Sequence, residues 1–561
     1  MMLFSDIVKV YERLSSTTSL LSKRDFLLEF LKKVKGEEIE VVVRLLDGTI
    51  FLEYEKEKLG VNENIILKVL EKVTGLKKER LVESWKKKGD LGEVSEEVLG
   101  KKEQKSLFSK RLLVSYVFET LRKVGREGGQ GSLERKISLI SELLTHSNPL
   151  EGKYIVKIVL GNLRLGFGRG VLRDALSLVF GVDKNLVEHA YFMVNDFGFV
   201  AKLLSETKHN ERENKLKKLS IVLGKPIQVM LFPKVENIQE AFERVGKPAY
   251  FDYKYDGFRL QCHKKGKEVW LFTRRLENVT KQFPDLKKEV LKFDGDFVIE
   301  GEACGIRGGK FVPFQEISQR IKRKYDIIET SLDVPVKLFC FDLIFLNGED
   351  HLATPYEKRH ELLVKLLDKK SEKVLIAEYE KLDSESKALE FRKKAQKEGF
   401  EGLMVKDVKA KYRPGLRVGT AVKWKFTPDT LELAIVGAEW GDGKRAGVLS
   451  SFYLGALDSK SGEYRLIGKM STGIKEKDEE GVSYNYLTKL LKKNIIKTQG
   501  KTVWLKPSEV VEVGYEEIQK SNKYPSGFAL RFPRFIRLRT SERSVKDCDS
   551  VERVKRLYSK K

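Results

Sequence analysis

Hydrophobic residues in the first part of the chain recur at the spacing of α-helices. A 3.6-residue period fits the apolar positions near the N-terminus, namely Phe4, Ile7, Val8, Tyr11 and Leu14. Ser22-x-x-Asp25 resembles a capping box before a second apolar run. Glycine clusters at 89–93 and 125–132 mark positions where helices end or turn. The pattern predicts an all-α N-terminal domain over residues 1–222.

The pattern changes near residue 225 to short runs that are typical of β-strands. Two prolines in "LGKPIQVMLFPK" indicate a connector before these runs. Helical stretches at 357–368 and 384–398 lie between them. We therefore expect a domain that mixes strands and helices over 223–427, with strands at 249–263, 268–274, 297–304, 336–346 and 402–406.

A third pattern begins near residue 428, where short apolar strands alternate with glycine turns. Examples are "SSFYLGALD", "YRLIGKMSTG" and "VVEVGYEEIQ". One helical stretch, 477–493, interrupts the strands. Five short strands with one helix suit a small barrel of the oligonucleotide-binding type, or OB fold. We assign residues 428–561 to this domain.

The run "YFDYKYDGF" (250–258) raises a question about one lysine. Its residues alternate as in a half-buried strand, and Gly257 then ends the alternation. The two faces carry Phe251, Tyr253 and Tyr255 against Asp252, Lys254 and Asp256. An edge strand with solvated charges explains this pattern. A nucleophilic lysine held beside carboxylates explains it as well, so other parts of the chain have to decide.

The composition indicates a globular chain of several domains. A length of 561 residues is too great for one core, and 41% hydrophobic residues support folding. The four cysteines are scattered without a C-x-x-C pair, so neither a zinc site nor a disulfide framework is indicated. No apolar run reaches the roughly 18 residues of a membrane span, and the acidic N-terminus is unlike a signal peptide. We expect an intracellular, cytoplasmic protein without a membrane partner.

The charge balance favours a polyanionic partner. Lysine and arginine total 107 against 82 acidic residues, which gives a formal net charge of +25. Such an excess attracts phosphates and is typical of nucleic-acid binding. The same excess could serve only to keep the protein in solution.

Six motifs follow one another in the second half of the chain. The first is K-x-D-G-x-R, formed by Lys254, Asp256, Gly257 and Arg259. This is the pattern of covalent nucleotidyltransferases, and its companions make a chance match hard to obtain. They supply Glu302 in "VIEGEACGI", Phe341 in "LFCFDLIFLNG", Glu401 and Lys406 in "EGLMVK", Lys423 and Lys425 in "KWK", and the basic run "SGFALRFPRFIRLR".

In these motifs the chain resembles the ATP-dependent DNA ligases of the archaeal and eukaryotic replicative type. The resemblance runs from end to end, through "GDLG", "RLGFGRGVLRDA", "RRLENVT", "PFQ", "GAEWGDGKR" and "YEEIQKS". It implies a helical DNA-binding domain, an α+β nucleotidyltransferase (adenylation) domain with antiparallel sheets, and a C-terminal OB-fold β-barrel. RNA ligases and capping enzymes share only the middle motifs, and NAD-dependent ligases carry a tetra-cysteine zinc module that this chain lacks.

The resemblance implies that Lys254 is the nucleophile. An amine that attacks the α-phosphate of ATP must be neutral, whereas a free lysine is almost wholly protonated at neutral pH. Nearby cations disfavour a second positive charge and stabilise the phosphates. Arg259, Arg274, Lys423 and a bound Mg²⁺ are the candidates. The expected product is a phosphoramidate between Lys254 and AMP.

The resemblance also assigns the remaining nucleotide and metal contacts. Asp252 faces the adenine amino group, where the family usually has glutamate, so nucleotide selectivity stays open. Phe341 stacks on the base, Arg259 and Glu302 bind ribose hydroxyls, and Arg417 lines the pocket. Glu302 and Glu401 are the metal-facing carboxylates, because oxygen ligands suit Mg²⁺ or Mn²⁺.

Each of these residues has an ordinary structural alternative. Phe341 could belong to the core, Glu302 and Glu401 could pair with surface lysines, and Lys423 could lie on a solvated strand face with Lys425. Two positions also depart from the family pattern. Ala421 stands where the family commonly has tryptophan, and Thr540 stands where it usually has aspartate.

We predict an ATP-dependent DNA ligase that acts as a monomer on nicked double-stranded DNA. Its three steps are self-adenylation, AMP transfer to a 5′-phosphate, and attack by the adjacent 3′-hydroxyl. An RNA ligase or capping-type guanylyltransferase is the alternative enzyme, and a basic DNA-binding protein without activity is the alternative of another class. Residues Gln104–Phe108 are similar to the clamp-binding segment of the family, although Leu107 and Phe108 could instead pack within their own domain.

Overall fold

The computed structural model describes residues 1–101, 111–312, 317, 320, 334–368, 371–416, 418–426, 430–441, 445, 447–459, 461–540 and 544–559. The chain divides into two compact units, each built from three segments. The first unit comprises Met1–Pro233, Phe242–Asp383 and Val405–Val422. The second comprises Lys234–Ala241, Ser384–Met404 and Lys423–Lys561. The predicted division into three domains at 222 and 427 stays a prediction.

The described residues before 218 form α-helices and no strand longer than an isolated bridge. The helices are α1 Phe4–Ser15, α2 Leu20–Leu31, α3 Gly36–Leu46, α4 Glu63–Thr74, α5 Lys78–Lys88, α6 Leu91–Gly100, α7 Val114–Arg126, α8 Ser132–His146, α9 Pro149–Val159, α10 Arg169–Phe180, α11 Lys184–Val194, α12 Phe197–Glu206 and α13 Arg212–Lys217. The predicted helical domain is confirmed.

The helices pack around one core, and the predicted apolar stripe of α1 forms part of it. All five of its predicted residues are buried in this cluster. α2 begins earlier than the sequence indicated, because Ser19 caps it by accepting a hydrogen bond from the Ser22 backbone N–H. α9 starts with a full capping box, in which Asn148 and Glu151 satisfy each other's backbone donors around Pro149.

The middle of the chain alternates strands with helices. Its elements are β1 Lys234–Val235, α14 Ile238–Val245, β2 Ala249–Tyr253, β3 Phe258–Lys265, β4 Glu268–Thr273, α15 Pro284–Val290, β5 Phe297–Arg307, β6 Lys310–Phe311, β7 Val336–Leu346, β8 Glu349–Asp350, α16 Tyr356–Leu367, β9 Val374–Ile376, β10 Tyr379–Leu382, α17 Glu385–Lys397, β11 Gly402–Asp407 and β12 Ala421–Lys425. The single strand predicted at 249–263 is therefore two strands, separated by a turn.

A seven-stranded sheet forms the centre of this part of the first unit. Its strand order is β4-β3-β5-β7-β8, with β6 beside β5 and β9 beside β7. The neighbours are antiparallel except β9, which runs parallel to β7. α15 and α16 contribute Leu286 and Leu363 to the core beneath it. In the same unit, β2 and β10 form an antiparallel pair.

In the C-terminal part of the second unit, the described residues form a sheet domain with two α-helices. Its elements are β13 Thr430–Trp440, β14 Leu449–Leu457, β15 Tyr464–Met470, α18 Tyr484–Lys492, β16 Ile495–Gln499, β17 Thr502–Leu505, β18 Val510–Gly514, β19 Glu517–Lys520, β20 Phe528–Arg531, β21 Arg534–Leu538 and α19 Val551–Ser559. The predicted helical interlude is α18, which is shorter than expected.

Five of these strands close into a barrel. β13 pairs with β14 on one side and with β18 on the other, β14 pairs with β15, and β18 pairs with β21. Thr472, just after β15, bridges to Arg534 at the start of β21. The backbone N–H of Phe535 donates to the Thr472 carbonyl at 2.9 Å, which completes the ring. The small barrel that the sequence predicted is confirmed.

None of the helices in the described part of the chain has the length and apolarity that crossing a bilayer requires.

Candidate active site

Lys254 lies in the turn that connects β2 to β3. All five residues of β2 are buried, and Asp252 is only 3% exposed. The alternative interpretation of this run, an edge strand with solvated charges, is therefore excluded. Lys254 itself is half-buried. The next residue anchors the turn, because the Tyr255 ring stacks on Phe339 with centroids 4.4 Å apart.

Gly257 allows this turn to lie directly on β5. A Cβ atom at this position would lie 2.4 Å from the carbonyl oxygen of Ala303 and 2.9 Å from Sγ of Cys304. Only glycine, which has no Cβ, permits such a close backbone approach. Two residues later, Arg259 lies opposite Glu302 in the antiparallel pairing of β3 with β5. The spacing of the K-x-D-G-x-R motif thus matches the geometry of this turn.

Three charged side chains act on the buried thiol of Cys304. Burial raises the pKa of Cys304 well above its usual value, and the carboxylates of Glu302 and Asp256 raise it further. Lys254 has the opposite effect. Such effects fall off with distance, so each of the three charges lies near Cys304. Lys254, Asp256 and Glu302 thus all act on the same buried side chain.

An aromatic and basic pocket lies in the same unit. Four rings and three cations are among its lining residues, which are Met230, Phe232, Arg259, Phe341, Asp342, Tyr356, Arg359, Lys406, Ala410, Tyr412 and Ala421. Ring faces bind planar groups, and cations bind phosphates. The rings of the lining therefore suit a flat heteroaromatic ligand.

Lys406 is buried at one side of the pocket. Its ammonium group donates a hydrogen bond to Oδ2 of Asp252 and another, at 2.9 Å, to the hydroxyl of Tyr356. The Nζ atom lies 4.9 Å from the ring centroid of Phe341 and 4.6 Å from that of Tyr356. Burial and the neighbouring Asp252 raise the pKa of Tyr356 well above its usual value. Phe341 is half-buried at the pocket, not enclosed in the core.

Arg259 is fixed by a carboxylate that the sequence analysis did not select. Its Nη2 donates to Oε2 of Glu300 at 2.6 Å, and its Nη1 donates to the carbonyl of Met230 at 2.8 Å. Glu300 is completely buried and also accepts hydrogen bonds from Tyr412 at 3.0 Å and Gln261 at 3.2 Å. Burial lowers the pKa of Arg259, but its neighbours, with the carboxylate of Glu300 foremost among them, raise it more, so that the pKa lies above its usual value.

A second buried ion pair supports the strand that carries Phe341. Asp342 accepts hydrogen bonds from Nε of Arg359 at 2.8 Å and from its Nη2 at 3.0 Å. Arg359 is fully buried and also donates to the carbonyl of Ala410 at 2.9 Å. The hydroxyl of Tyr356 donates to the carbonyl of Phe341 at 3.0 Å. These contacts fix β7 against α16 at the pocket.

Known proteins match this chain over nearly its whole length. Three family descriptions match: "DNA ligase N terminus" at residues 3–177, "ATP dependent DNA ligase domain" at 229–425, and "ATP dependent DNA ligase C terminal region" at 445–542. A DNA ligase of Nanoarchaeum equitans is 42% identical over 99% of this chain and 98% of its own length. A DNA ligase of Thermococcus onnurineus is 40% identical over the same shares.

The chain belongs to the ATP-dependent DNA ligase family. A solved structure named "Pmar-Lig_PreS3" is similar with a TM-score of 0.58 and 17% identity, and the match covers 95% of this chain and 99% of that one. This likeness supports the ligase fold. Together these findings confirm the predicted family, fold and enzyme class.

The ligase family motifs also include residues outside the pocket lining. Arg274 is exposed in the turn after β4, where the Thr273 hydroxyl accepts hydrogen bonds from the backbone N–H groups of Arg275 and Glu277. Arg417 and the segment 104–108 lie outside the described residues. Their predicted roles in the ligase therefore stay predictions.

Glu401, Lys423 and Lys425 belong to the second unit of this ligase. Lys425 Nζ donates to Glu401 and, at 2.9 Å, to Glu516. Although burial opposes the change, Glu401 and Glu516 raise the pKa of Lys425. Glu401 thus pairs with a lysine here, as the structural alternative expected. Lys423 lies opposite Lys234 in the parallel pair of β12 with β1.

The two departures from the ligase pattern occupy ordinary structural positions. Ala421 is buried and lines the pocket. Three residues on, Trp424 is 1% exposed and lies under the guanidinium of Arg392 at 4.6 Å. The hydroxyl of Thr540 accepts a hydrogen bond from the Val510 backbone N–H at 3.1 Å.

The described residues contain no cluster of three metal-binding side chains. Glu302 nevertheless offers a half-buried carboxylate at the Lys254 turn, and a carboxylate is a suitable donor for Mg²⁺. The sequence analysis missed Glu300, Asp342, Arg359 and Tyr412. The acidic residue that directly follows the apolar residues "FVI" (297–299) was the available signal for Glu300, because a buried carboxylate requires a partner.

Proposed function

We propose that this chain seals nicks in duplex DNA through an adenylate carried on Lys254. The neutral amine forms a bond to the α-phosphorus of ATP while the bond to pyrophosphate breaks. The AMP group then passes to the 5′-phosphate of the nick, which regenerates the amine. Attack by the 3′-hydroxyl on that phosphate forms the phosphodiester and releases AMP. The observation that carries this assignment is the Lys254 turn lying against β5 in the same unit as the aromatic and basic pocket.

The pocket has suitable groups for the nucleotide. Phe341 offers a ring face for the base, and Arg259, held by Glu300, offers a fixed cation for the sugar and phosphate. Oδ1 of Asp252 is buried and has no hydrogen-bond partner among the described residues. An unpaired buried acceptor is costly, and the adenine amino group would satisfy it. Arg274, Arg417 and Lys423 add positive charge for the phosphates.

Magnesium, or manganese in its place, is the metal that these carboxylates suit. Glu302 would hold it at the Lys254 turn, and Glu401 would contribute after exchanging its contact with Lys425. When bound, the metal neutralises charge on the phosphates. The positions of Lys254 and of the base are set by side chains of the protein and not by the metal.

Nicked duplex DNA is the substrate to which the helical domain would bind. The net charge of +25 supplies attraction to phosphates along the whole chain. We propose that the protein acts inside the cell as a monomer on this DNA.

Labelling with α-³²P-ATP tests the nucleophile. Lys254→Ala and Lys254→Arg should both abolish the covalent label, since a guanidinium stays protonated and is a poor nucleophile. Lys265→Ala, which removes an exposed lysine from the following strand, should label normally. Mass spectrometry of the wild-type chain should locate the added AMP at Lys254. Normal labelling of either Lys254 variant would refute the assignment and favour a DNA-binding protein without activity.

The segment Gln104–Phe108 is proposed to bind a sliding clamp. A glutamine followed by an aliphatic and an aromatic side chain suits a small apolar pocket on a partner. The double substitution Leu107→Ala with Phe108→Ala should remove stimulation of nick joining by the clamp and leave basal joining intact. Parallel loss of basal joining would show instead that both side chains belong to the domain core.

A further inference from the structure

Lys406 has a buried environment that the proposed reaction does not explain. The residue is 5% exposed and lies on β11. Its ammonium group is bound by Oδ2 of Asp252 and by the hydroxyl of Tyr356, and it faces the rings of Tyr356 and Phe341. A buried lysine requires such partners, because an unpaired charge in the interior is very costly. The partners of Lys406 therefore stabilise its charge at this buried position.

The contacts of Lys406 determine which hydrogen bonds the pocket can still offer. An ammonium group has three protons. Two are directed to Asp252 and Tyr356, and the ring faces lie within cation–π distance of the group. On the other partner, Oδ1 of Asp252 remains buried without a hydrogen-bond partner among the described residues. The pair thus leaves one buried acceptor, Oδ1 of Asp252, unused, and two of the three ammonium protons are already hydrogen-bonded.

We propose that Lys406 is a positioning residue that makes Asp252 a selective acceptor for a 6-aminopurine. The inference rests on the proposed binding of the base at Asp252 and Phe341. An ionised carboxylate accepts a hydrogen bond from the 6-amino group of adenine, and it repels the 6-oxo group of guanine. Because Oδ2 and Tyr356 fix Lys406, Oδ1 of Asp252 is the acceptor that the pair still presents to a base. The pair of Lys406 and Asp252 would therefore make the site select ATP over GTP.

Removing the ammonium group should change the chemistry of Asp252. A buried carboxylate without its cation favours the protonated, neutral form. A protonated carboxyl group has an O–H that can donate to the 6-oxo group of guanine. Lys406→Met, which retains much of the side-chain volume, should therefore reduce discrimination between the two nucleotides. A residue with a purely structural role would lower labelling with both nucleotides equally.

The test measures kcat/KM for covalent labelling with ATP and with GTP on the full chain. We expect the ratio to fall at least about tenfold in Lys406→Met, since a site with a matched polar partner can discriminate by several orders of magnitude. Lys409→Met, an exposed lysine on the following turn, is the matched control and should keep the wild-type ratio. Lys406→Gln, which retains a donor of similar reach, should recover part of the ratio.

A double-mutant cycle separates an effect through Asp252 from an independent one. Asp252→Asn should also reduce discrimination, because an amide can donate as well as accept. If Lys406 acts through Asp252, the double variant should discriminate no worse than Asp252→Asn alone. Additive losses would overturn the proposal, and so would an unchanged ratio in Lys406→Met.

Failure of this inference is distinguishable from failure of the proposed function. If the wild-type chain forms no adenylate at any ATP concentration, the proposed function fails. If it labels normally and Lys406→Met shows the wild-type nucleotide ratio, only the role of Lys406 fails. Thermal melting of each variant shows whether it folds, and Lys406→Gln is the decisive variant if Lys406→Met does not.

Discussion

The imidazole of His263 makes the stability of the first unit depend on pH. It is fully buried on β3, where its Nδ1 accepts a hydrogen bond from the backbone N–H of Gly224 at 3.3 Å. Its Nε2 lies 2.9 Å from Oε1 of Gln261. Burial lowers the pKa of His263 from 6.5 to about 3, so the ring is neutral in the folded protein. Folding therefore opposes its protonation.

The sign of the pH effect follows from this lowered pKa. Between about pH 6.5 and pH 3 the unfolded chain binds a proton that the folded chain does not, so the stability is present above pH 6.5 and is lost as the pH falls. We expect a loss of up to about 1.4 kcal/mol per pH unit from this one group. His263→Gln should show a shallower decrease in urea titrations of the free energy of unfolding. His209→Gln, at an exposed site, should retain the wild-type slope.

Single residues also show what sequence reasoning could and could not find. Lys254 was identifiable because a local motif surrounds it and Gly257 serves an evident steric need. The partners of Asp252 and Glu300 were not, since Lys406 is 154 positions from Asp252 and Tyr412 is 112 positions from Glu300. Local patterns carry no information about such pairs. They become visible only when the fold brings the strands together.

Among the larger elements, we expect the turn between β2 and β3 to be the one on which activity depends most. Gly257→Ala would direct a methyl group at the Ala303 carbonyl, 2.4 Å away, so the turn must move off β5. We expect labelling with ATP to fall by about a hundredfold or more, because a shift of about 1 Å in a catalytic group can cost this much. Gly419→Ala, where nothing lies within 4 Å of the added carbon, should label normally. Equal labelling of the two variants would show that the turn tolerates displacement.

Many of the regular elements were predictable because their apolar residues follow a hydrophobic period. The strands at 268–274, 297–304 and 336–346 correspond to β4, β5 and β7, and β5 extends to Arg307. The prediction at 249–263 was wrong as one strand, because alternation continues through the turn residues Lys254 to Asp256. Alternation does not report where the backbone stops pairing.

The charge of the whole molecule predicts how DNA binding responds to salt. The affinity of the full chain for nicked duplex DNA should fall linearly on a plot of log K against log salt concentration. The slope should be about −0.9 for each phosphate neutralised. Fluorescence anisotropy in potassium chloride measures it, and an uncharged osmolyte at equal osmolality is the control. A flat plot would contradict binding through phosphates.

The closure of the C-terminal barrel depends on a strand near the end of the chain. β21 pairs with β18, and its first residue makes the bridge to Thr472. A premature stop codon before Arg534 would remove this strand and leave one edge of β18 with unpaired backbone groups. Such an edge is a template for strands from other molecules. The truncated allele would therefore produce a protein that self-associates. This effect would add to the loss of the enzyme.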